Sequence, residues 1–323
     1  MLTTYDHQGA GLAKREGLVA PTDATVWIDL LNPTPEEDAF VEKALGLDIP
    51  TRAEMREIEA SNRLYQEGGA YFMTAFIVYN VEAPVPLTTA LTFILAGNRL
   101  VTVRYAEPKA FPLFLQKVEK GDLTCSGAPA IMIGLIEAII HREADLIERI
   151  QDEVDRTAPV IFDIKGGQQT RGRRLEAILK AVGKQGDTSA RAQESTLSID
   201  RVLTYFGHAA RERKDDASIL QRIEVAHRDV HSLMEHMRFL STRVAFLLDA
   251  TLGMISTEQN QIIKLFSVAA VMLMPPTLIA SIYGMNFKHI PELEFLWGYP
   301  MALGGMVISA VIPFIYFKRK GWL

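Results

Sequence analysis

The chain has 323 residues and a formal net charge of −5, enough for one ordinary soluble domain plus a helical part. The excess of acids argues against a nucleic-acid partner and mildly favours cations. A single cysteine, Cys125, excludes an intrachain disulfide framework and points to a reducing compartment.

Residues 1–127 are expected to form a mixed α/β domain. Val26 to Leu30 has strand character, and Asn32-Pro33-Thr34-Pro35 is a turn. Pro35, Glu36, Glu37 and Asp38 suit the first turn of a helix. Strand-like runs follow at 70–81, 87–95 and 99–104, with Gly97-Asn98 as a hairpin signal between the last two. Residues 128–207 predict a long helical hairpin. Its first helix runs from about Ala128 to Arg156 and carries seven acids between Glu137 and Asp155, read as a solvated face. Lys165-Gly166-Gly167 and Gly172 predict a break, with a basic tip at Arg171, Arg173 and Arg174 before a second helix from Arg173 to Phe206.

Residues 215–283 predict one continuous stalk helix. Ala226, Val230, Leu233, Met237, Leu240, Val244, Leu247, Thr251 and Met254 alternate at spacings of four and three, a heptad seam. At 1.5 Å per residue the helix is about 100 Å long. Gly253 is its weak point. Its end, about 262–283, contains 19 uncharged residues from Leu265 to Tyr283, and a second uncharged run of 23 spans Phe295 to Phe317. A bilayer core is about 30 Å thick, so each run is long enough to cross once. The first span is therefore 262–283, the loop 284–295, the second span 296–317, and 318–323 a basic tail. Met1 to Gly17 is polar and has no apolar signal core. Lys318, Arg319 and Lys320 follow the second span, while Arg243 and Lys264 precede the first. Both termini are expected in the cytoplasm and the loop outside.

Asn260, Ile263, Ser267, Ala270, Met274, Thr277, Ser281 and Gly284 share one face of the first span by spacing. Two readings fit a small, weakly polar stripe: close helix packing, or the wall of a narrow neutral pore. Pro275-Pro276 removes two backbone donors in mid-span, tolerable beside a cavity or a neighbour. Neither uncharged run holds the ionisable group expected of a proton-coupled carrier, which favours a passive channel. A divalent cation crossing about 100 mV gains about 4.6 kcal/mol.

The loop Tyr283-Gly284-Met285-Asn286-Phe287, followed by Pro291-Glu292-Leu293 and Gly298-Tyr299-Pro300, resembles the signature of the CorA family of divalent cation channels. The resemblance extends to Glu258-Gln259-Asn260, Met274-Pro275-Pro276-Thr277 and Tyr316 to Leu323, and more weakly to Trp27 to Leu30. It implies an α+β cytosolic domain of αβα-sandwich type, a long stalk helix, two C-terminal transmembrane helices and a homopentameric funnel in the cell inner membrane. It implies a channel rather than an enzyme, with Mg2+ as substrate and regulatory ligand, Co2+ and Ni2+ often accepted, and no organic cofactor. Gly284, Met285 and Asn286 would form the selectivity filter. Thr277 would add an oxygen ring, and Met274, Ile263 and Phe266 apolar constrictions. Lys318, Arg319 and Lys320 would form a basic ring at the membrane. Glu57 and Asp249 match positions that hold regulatory Mg2+ between neighbouring copies. Arg56 and Val225 stand where some members carry acids, which weakens a second regulatory site. Lys288 stands where many members have Glu and makes the mouth less negative.

An alternative within the superfamily is a ZntB-type Zn2+ transporter. Its sequence feature is the i, i+4 pair His227 and His231, with Glu224 and Glu235 on nearby turns. A remoter alternative is a membrane-anchored sensor or enzyme. No phosphate loop, Gly-x-Ser-x-Gly or Cys/His cluster supports it, and Cys125 lacks an activating context.

Overall fold

The computed structural model describes every residue except Ala10, Ile58, Asp122, Thr124, 163–167, 287–290, 292–294 and Leu323. The chain forms two compact units: Met1–Phe162 with Lys180–Leu248, and Asp163–Leu179 with Asp249–Leu323.

The first unit is built on a seven-stranded sheet. Its strands are β1 (Leu2–Gln8), β2 (Gly11–Glu16), β3 (Thr25–Leu31), β4 (Leu64–Glu67), β5 (Ala70–Tyr79), β6 (Leu87–Ala96) and β7 (Arg99–Arg104), in the order β2-β1-β3-β7-β6-β5-β4. Only β3 and β7 run parallel; the other pairs are antiparallel. The expected β6–β7 hairpin is present, with Gly97 at φ +58° supplying the turn. Six of the seven β3 residues are buried, as in a strand covered on both faces. Trp27 enters one core with Met73, Ile77, Leu91 and Phe93. Ile28 and Leu30 enter the other with Phe72, Ile94, Val101 and Val103.

Helix α1 (Pro35–Leu45) covers the second core through Val41. Thr34 caps it: its hydroxyl accepts from the Glu37 N–H, and the Glu37 carboxylate accepts from the Thr34 N–H. The first core is closed by α2 (Ala110–Glu119), α3 (Ala128–Phe162) and parts of α4 (Gln168–Arg213) and α5 (Ala217–Tyr283). The layers are therefore helix, sheet, helices, as expected.

Helix α3 extends beyond Arg156 to Phe162, and α4 begins before Gly172 and runs through it. Gly172 has no positive φ, so it permits a turn without imposing one. Residues 165–167 lie outside the described residues. The stalk helix is continuous through Gly253. Of its heptad seam, Ala226, Val230, Met237, Leu240, Val244, Leu247 and Thr251 are buried, and Leu233 and Met254 half-buried.

The acidic face of α3 is not wholly solvated. Glu137 pairs with Arg222 at 2.6 Å, while Glu143 is fully buried. The sheet edge explains why. Strand β4 pairs with residues 70–73 of β5, and the Thr74 N–H donates to the Arg63 carbonyl at 2.8 Å, so the outer edge of β5 is open beyond Thr74, and an open edge needs cover. Helix α4 supplies it with two serines one turn apart. The Phe76 N–H donates to Ser198 Oγ at 2.8 Å, and the Val78 N–H to Ser195 Oγ at 3.1 Å. Ser195 in turn donates to Glu143 Oε1. The Thr196 hydroxyl is placed to donate to Glu143 Oε2 at 3.3 Å and to the Ala192 carbonyl at 2.8 Å. Burial pushes this carboxyl up to about 8, against the partial relief from Ser195 and Thr196.

The folded state therefore holds a proton that the unfolded chain releases near pH 4.5. The associated stability is fully present below that value and is lost as pH rises through about 8. The slope from this one group approaches about 1.4 kcal/mol per pH unit. Glu143→Gln keeps the hydrogen bonds without the titration. Its unfolding temperature is expected to exceed that of the wild type by a margin that grows between pH 5 and 8. A margin independent of pH would contradict the protonated assignment.

Candidate functional site

The second unit holds the end of α5 and α6 (Gly298–Arg319), the two helices long and apolar enough to cross a membrane among the described residues. Helix α6 starts and ends two residues later than the expected 296–317. In a single chain both are largely exposed, with Leu265, Leu273, Leu278, Val307, Ile308 and Ile312 bare. Such continuous apolar surface belongs in lipid or against other copies.

Burial on α5 is one-sided. Val268 is buried, and Met272, Pro275, Pro276, Ile279 and Tyr283 are half-buried. These positions share one face, and it meets α6: a Cβ on Gly305 would lie 3.9 Å from Ile279 Cδ1. The residues of the polar stripe, Asn260, Ile263, Phe266, Ser267, Ala270, Met274, Thr277 and Ser281, are all exposed. At 100° per residue their stripe is centred about 170° from the covered face. Apolar residues flank it on both sides: Leu273 and Ala280 on one, Val271, Leu278 and Ile282 on the other. One face is thus committed to α6, the opposite face carries the small or polar Asn260, Ser267, Ala270, Thr277 and Ser281 together with the apolar Ile263, Phe266 and Met274, and the two sides between are suited to neighbouring helices.

The chemistry of the stripe follows from its hydrogen bonds. Pro275 and Pro276 lack the N–H groups that would bond the Val271 and Met272 carbonyls. Thr277 Oγ donates to the Leu273 carbonyl at 2.7 Å. Its proton is spent within the helix, so outwardly it presents acceptor lone pairs. At the helix end, the Gly284 N–H donates to the Ala280 carbonyl at 2.9 Å and the Met285 N–H to the Ile282 carbonyl at 3.3 Å. A Cβ on Gly284 would lie 3.1 Å from the Ala280 oxygen, so glycine lets the turn close tightly. Asn286 follows, exposed. Lys288, Glu292 and the rest of 287–290 and 292–294 lie outside the described residues.

Glu57 belongs to the first unit and Asp249 to the second. Glu57 follows a short 3-10 turn and accepts from Asn62 Nδ2 at 2.6 Å. With Glu54 and Tyr65 it lines a shallow pocket of about 300 Å³. Asp249 is exposed on α5. Lys318 and Arg319 end α6, and Lys320 is its cap.

The histidine pair proposed for zinc is divided. His227 faces Asp200 of α4 at 3.3 Å, whereas His231 pairs with Glu235 at 3.8 Å. No group of three or more His, Cys, Asp or Glu able to hold a metal ion occurs among the described residues. Cys125 is buried, and burial pushes its thiol up to about 11, which makes it inert as a nucleophile.

A mixed-sheet domain and a 67-residue helix, whose apolar end is followed by a Gly-Met-Asn turn and one further apolar helix, define the class of a two-span membrane transport protein. The family model for the CorA-like Mg2+ transporter protein matches residues 22–319. The magnesium transport protein CorA of Pasteurella multocida is 35% identical over 100% of both chains. That of Escherichia coli K12 is 32% identical over 94% of this chain and 93% of its own. The chain belongs to the CorA-like Mg2+ transporter family. In fold it is similar to the CorA magnesium transporter from Methanocaldococcus jannaschii, with a TM-score of 0.77 at 17% identity over 100% and 99% of the two chains. The ZntB cytoplasmic domain from Vibrio parahaemolyticus is more distant, with a TM-score of 0.57 at 10% identity over 80% of this chain and 97% of that one.

The buried and inert Cys125 makes the stripe directly testable. Single cysteines placed at Ser267, Ala270, Thr277 and Ser281 are expected to render ion influx sensitive to a methanethiosulfonate reagent, and cysteines at Val268, Met272 and Ile279 to leave it insensitive. The reverse pattern would put the water-facing surface on the wrong side of α5.

Proposed function

We propose that the protein is a homopentameric membrane channel for Mg2+ influx that also admits Co2+ and Ni2+. One observation carries this reading: the polar stripe of α5 is exposed on the face opposite α6 and runs toward the Gly-Met-Asn turn. Two helices per copy cannot enclose a pathway. Five copies, each turning this stripe inward, form a wall of Asn260, Ile263, Ser267, Ala270, Met274, Thr277 and Ser281, with Phe266 at its margin.

Mg2+ dehydrates reluctantly and keeps several waters. Those waters present hydrogens outward, so the matching wall offers acceptors and no fixed charge. Thr277 spends its proton on the Leu273 carbonyl of its own helix, and five Asn286 carbonyls at the mouth suit the same hydrated ion. Together with Gly284 and Met285 they form the filter, which holds the ion loosely enough to release it. Met274 and Ile263 narrow the wall with apolar side chains.

The names of the relatives, magnesium transport proteins, support Mg2+ as the ion. An inside-negative potential drives it without proton coupling. The channel resides in the cell inner membrane with both termini cytoplasmic, and Lys318, Arg319 and Lys320 form a positive ring at that end. Intracellular Mg2+ closes it by binding between copies through Glu57 of one and Asp249 of the next. The ion is substrate and regulator, and no organic cofactor is required.

Asn286→Ala tests the filter. Losing a hydrogen-bond acceptor toward a charged, hydrated ion is worth about 1.5–3 kcal/mol, so Mg2+ influx into proteoliposomes is expected to fall by tenfold or more. Undiminished influx would remove Asn286 from the filter.

A further inference from the structure

We propose that Lys264, Lys320 and Trp322 form a binding site for the phosphodiester headgroup of an anionic phospholipid, at the end of the two spans where α5 enters and α6 leaves the membrane. The site belongs to a single copy of the chain and does not depend on which ion the protein carries.

Local structure creates it. Gly321 adopts φ +71°, the left-handed conformation that ends a helix with glycine just past the cap. The Gly321 N–H donates to the Lys318 carbonyl at 3.3 Å and the Trp322 N–H to the Phe317 carbonyl at 3.0 Å. These two bonds fold the chain back, and the Trp322 ring stacks on Phe317 with centroids 5.4 Å apart. The indole then collects two cations from different helices. Lys264 Nζ of α5 lies 5.8 Å from its centroid, and Lys320 Nζ lies 5.3 Å away. Lys320 Nζ is also 5.6 Å from the Tyr316 ring.

Each cation–π contact is favourable alone, but two ammonium groups drawn to one ring repel each other. A counter-anion is the expected third component, and none comes from the described residues. Lys264, Lys318, Arg319 and Lys320 form no ion pair there. The acid nearest to Lys264 along α5, Glu258, forms none either. Leu323 lies outside the described residues and adds no side-chain charge. The aromatic rings Tyr316, Phe317 and Trp322 mark this level as the membrane interface. The anion abundant at that depth is a lipid phosphate, and the apolar flanks of α5 and α6 can accept its acyl chains.

The test uses full-length protein exposed to equimolar phosphatidylglycerol and phosphatidylcholine, with retained lipids counted by native mass spectrometry. An ammonium beside an anionic lipid surface favours binding about fivefold. The wild type is expected to retain phosphatidylglycerol in preference by fivefold or more. Lys264→Gln with Lys320→Gln should abolish the preference, while Lys264→Arg with Lys320→Arg should keep it, separating lost charge from failed folding. Trp322→Leu should weaken it by releasing both lysines. The proposal is overturned by a wild type with no preference, or by a glutamine double variant that keeps it. Thermal stabilisation by inorganic phosphate equal to that by phosphatidylglycerol would also overturn it, by assigning the anion to a soluble source.

Discussion

A stripe of small and polar side chains on a membrane-length helix has to meet something other than hydrocarbon. The second unit depends on that constraint. Helix α6 cannot satisfy it, because α6 covers the opposite face, where Val268, Met272 and Ile279 lie. Apolar burial gives little drive between helices in lipid, so association rests on close packing and polar contacts. The stripe fits the proposed ring of copies, in which Ser267, Ala270, Thr277 and Ser281 would face water or one another. Pro275 and Pro276 fit the same account. They lie on the side toward α6, and the two carbonyls they leave without donors need a neighbour or water.

The two units handle polar groups in opposite ways. In the sheet domain, the buried Asp29–Arg104 pair is held in a set of hydrogen bonds. Asp29 accepts from Thr102 Oγ at 2.7 Å and from Arg104 Nη2 at 2.7 Å, and Trp27 Nε1 donates to Thr102 Oγ at 2.9 Å. Such a buried pair needs complete hydrogen bonding to be tolerated. Glu143 has no cationic partner among the described residues, and it keeps its proton instead. In the second unit the exposed stripe of α5 carries no charge. In the proposed channel a fixed charge there would bind Mg2+ too tightly for rapid release, whereas amide and hydroxyl oxygens would hold the ion through its waters.

Much of the architecture was legible because its signals are local. The strands at 70–81, 87–95 and 99–104 announced themselves by β-branched and aromatic content, and the turn between the last two by Gly97. The stalk was legible from one heptad seam. The paired strands β1 and β2 were not expected, since Leu2–Gln8 and Gly11–Glu16 are short and mostly polar and lie at one side of the sheet. Helix α2 was missed because it is only ten residues long and has no side-chain cap to mark its start. Gly172 was read as a break, but glycine only permits one. At the candidate site, spacing revealed which residues of α5 share a face, not which way that face turns. Its orientation depends on where α6 packs, and this is tertiary information. Glu143 was unreadable for the same reason: an acid on a helix facing a sheet edge has the same local sequence as one facing water. The basic residues were visible, but their convergence on Trp322 needed the turn at Gly321.

The most direct test of the central claim is Mg2+ influx into proteoliposomes containing only the purified protein, at fixed pH and varied membrane potential. A passive channel lined by the α5 stripe predicts influx that rises as the interior is made more negative and is unaffected by a pH gradient. Influx that ignores the potential, or that requires a proton gradient, would contradict it.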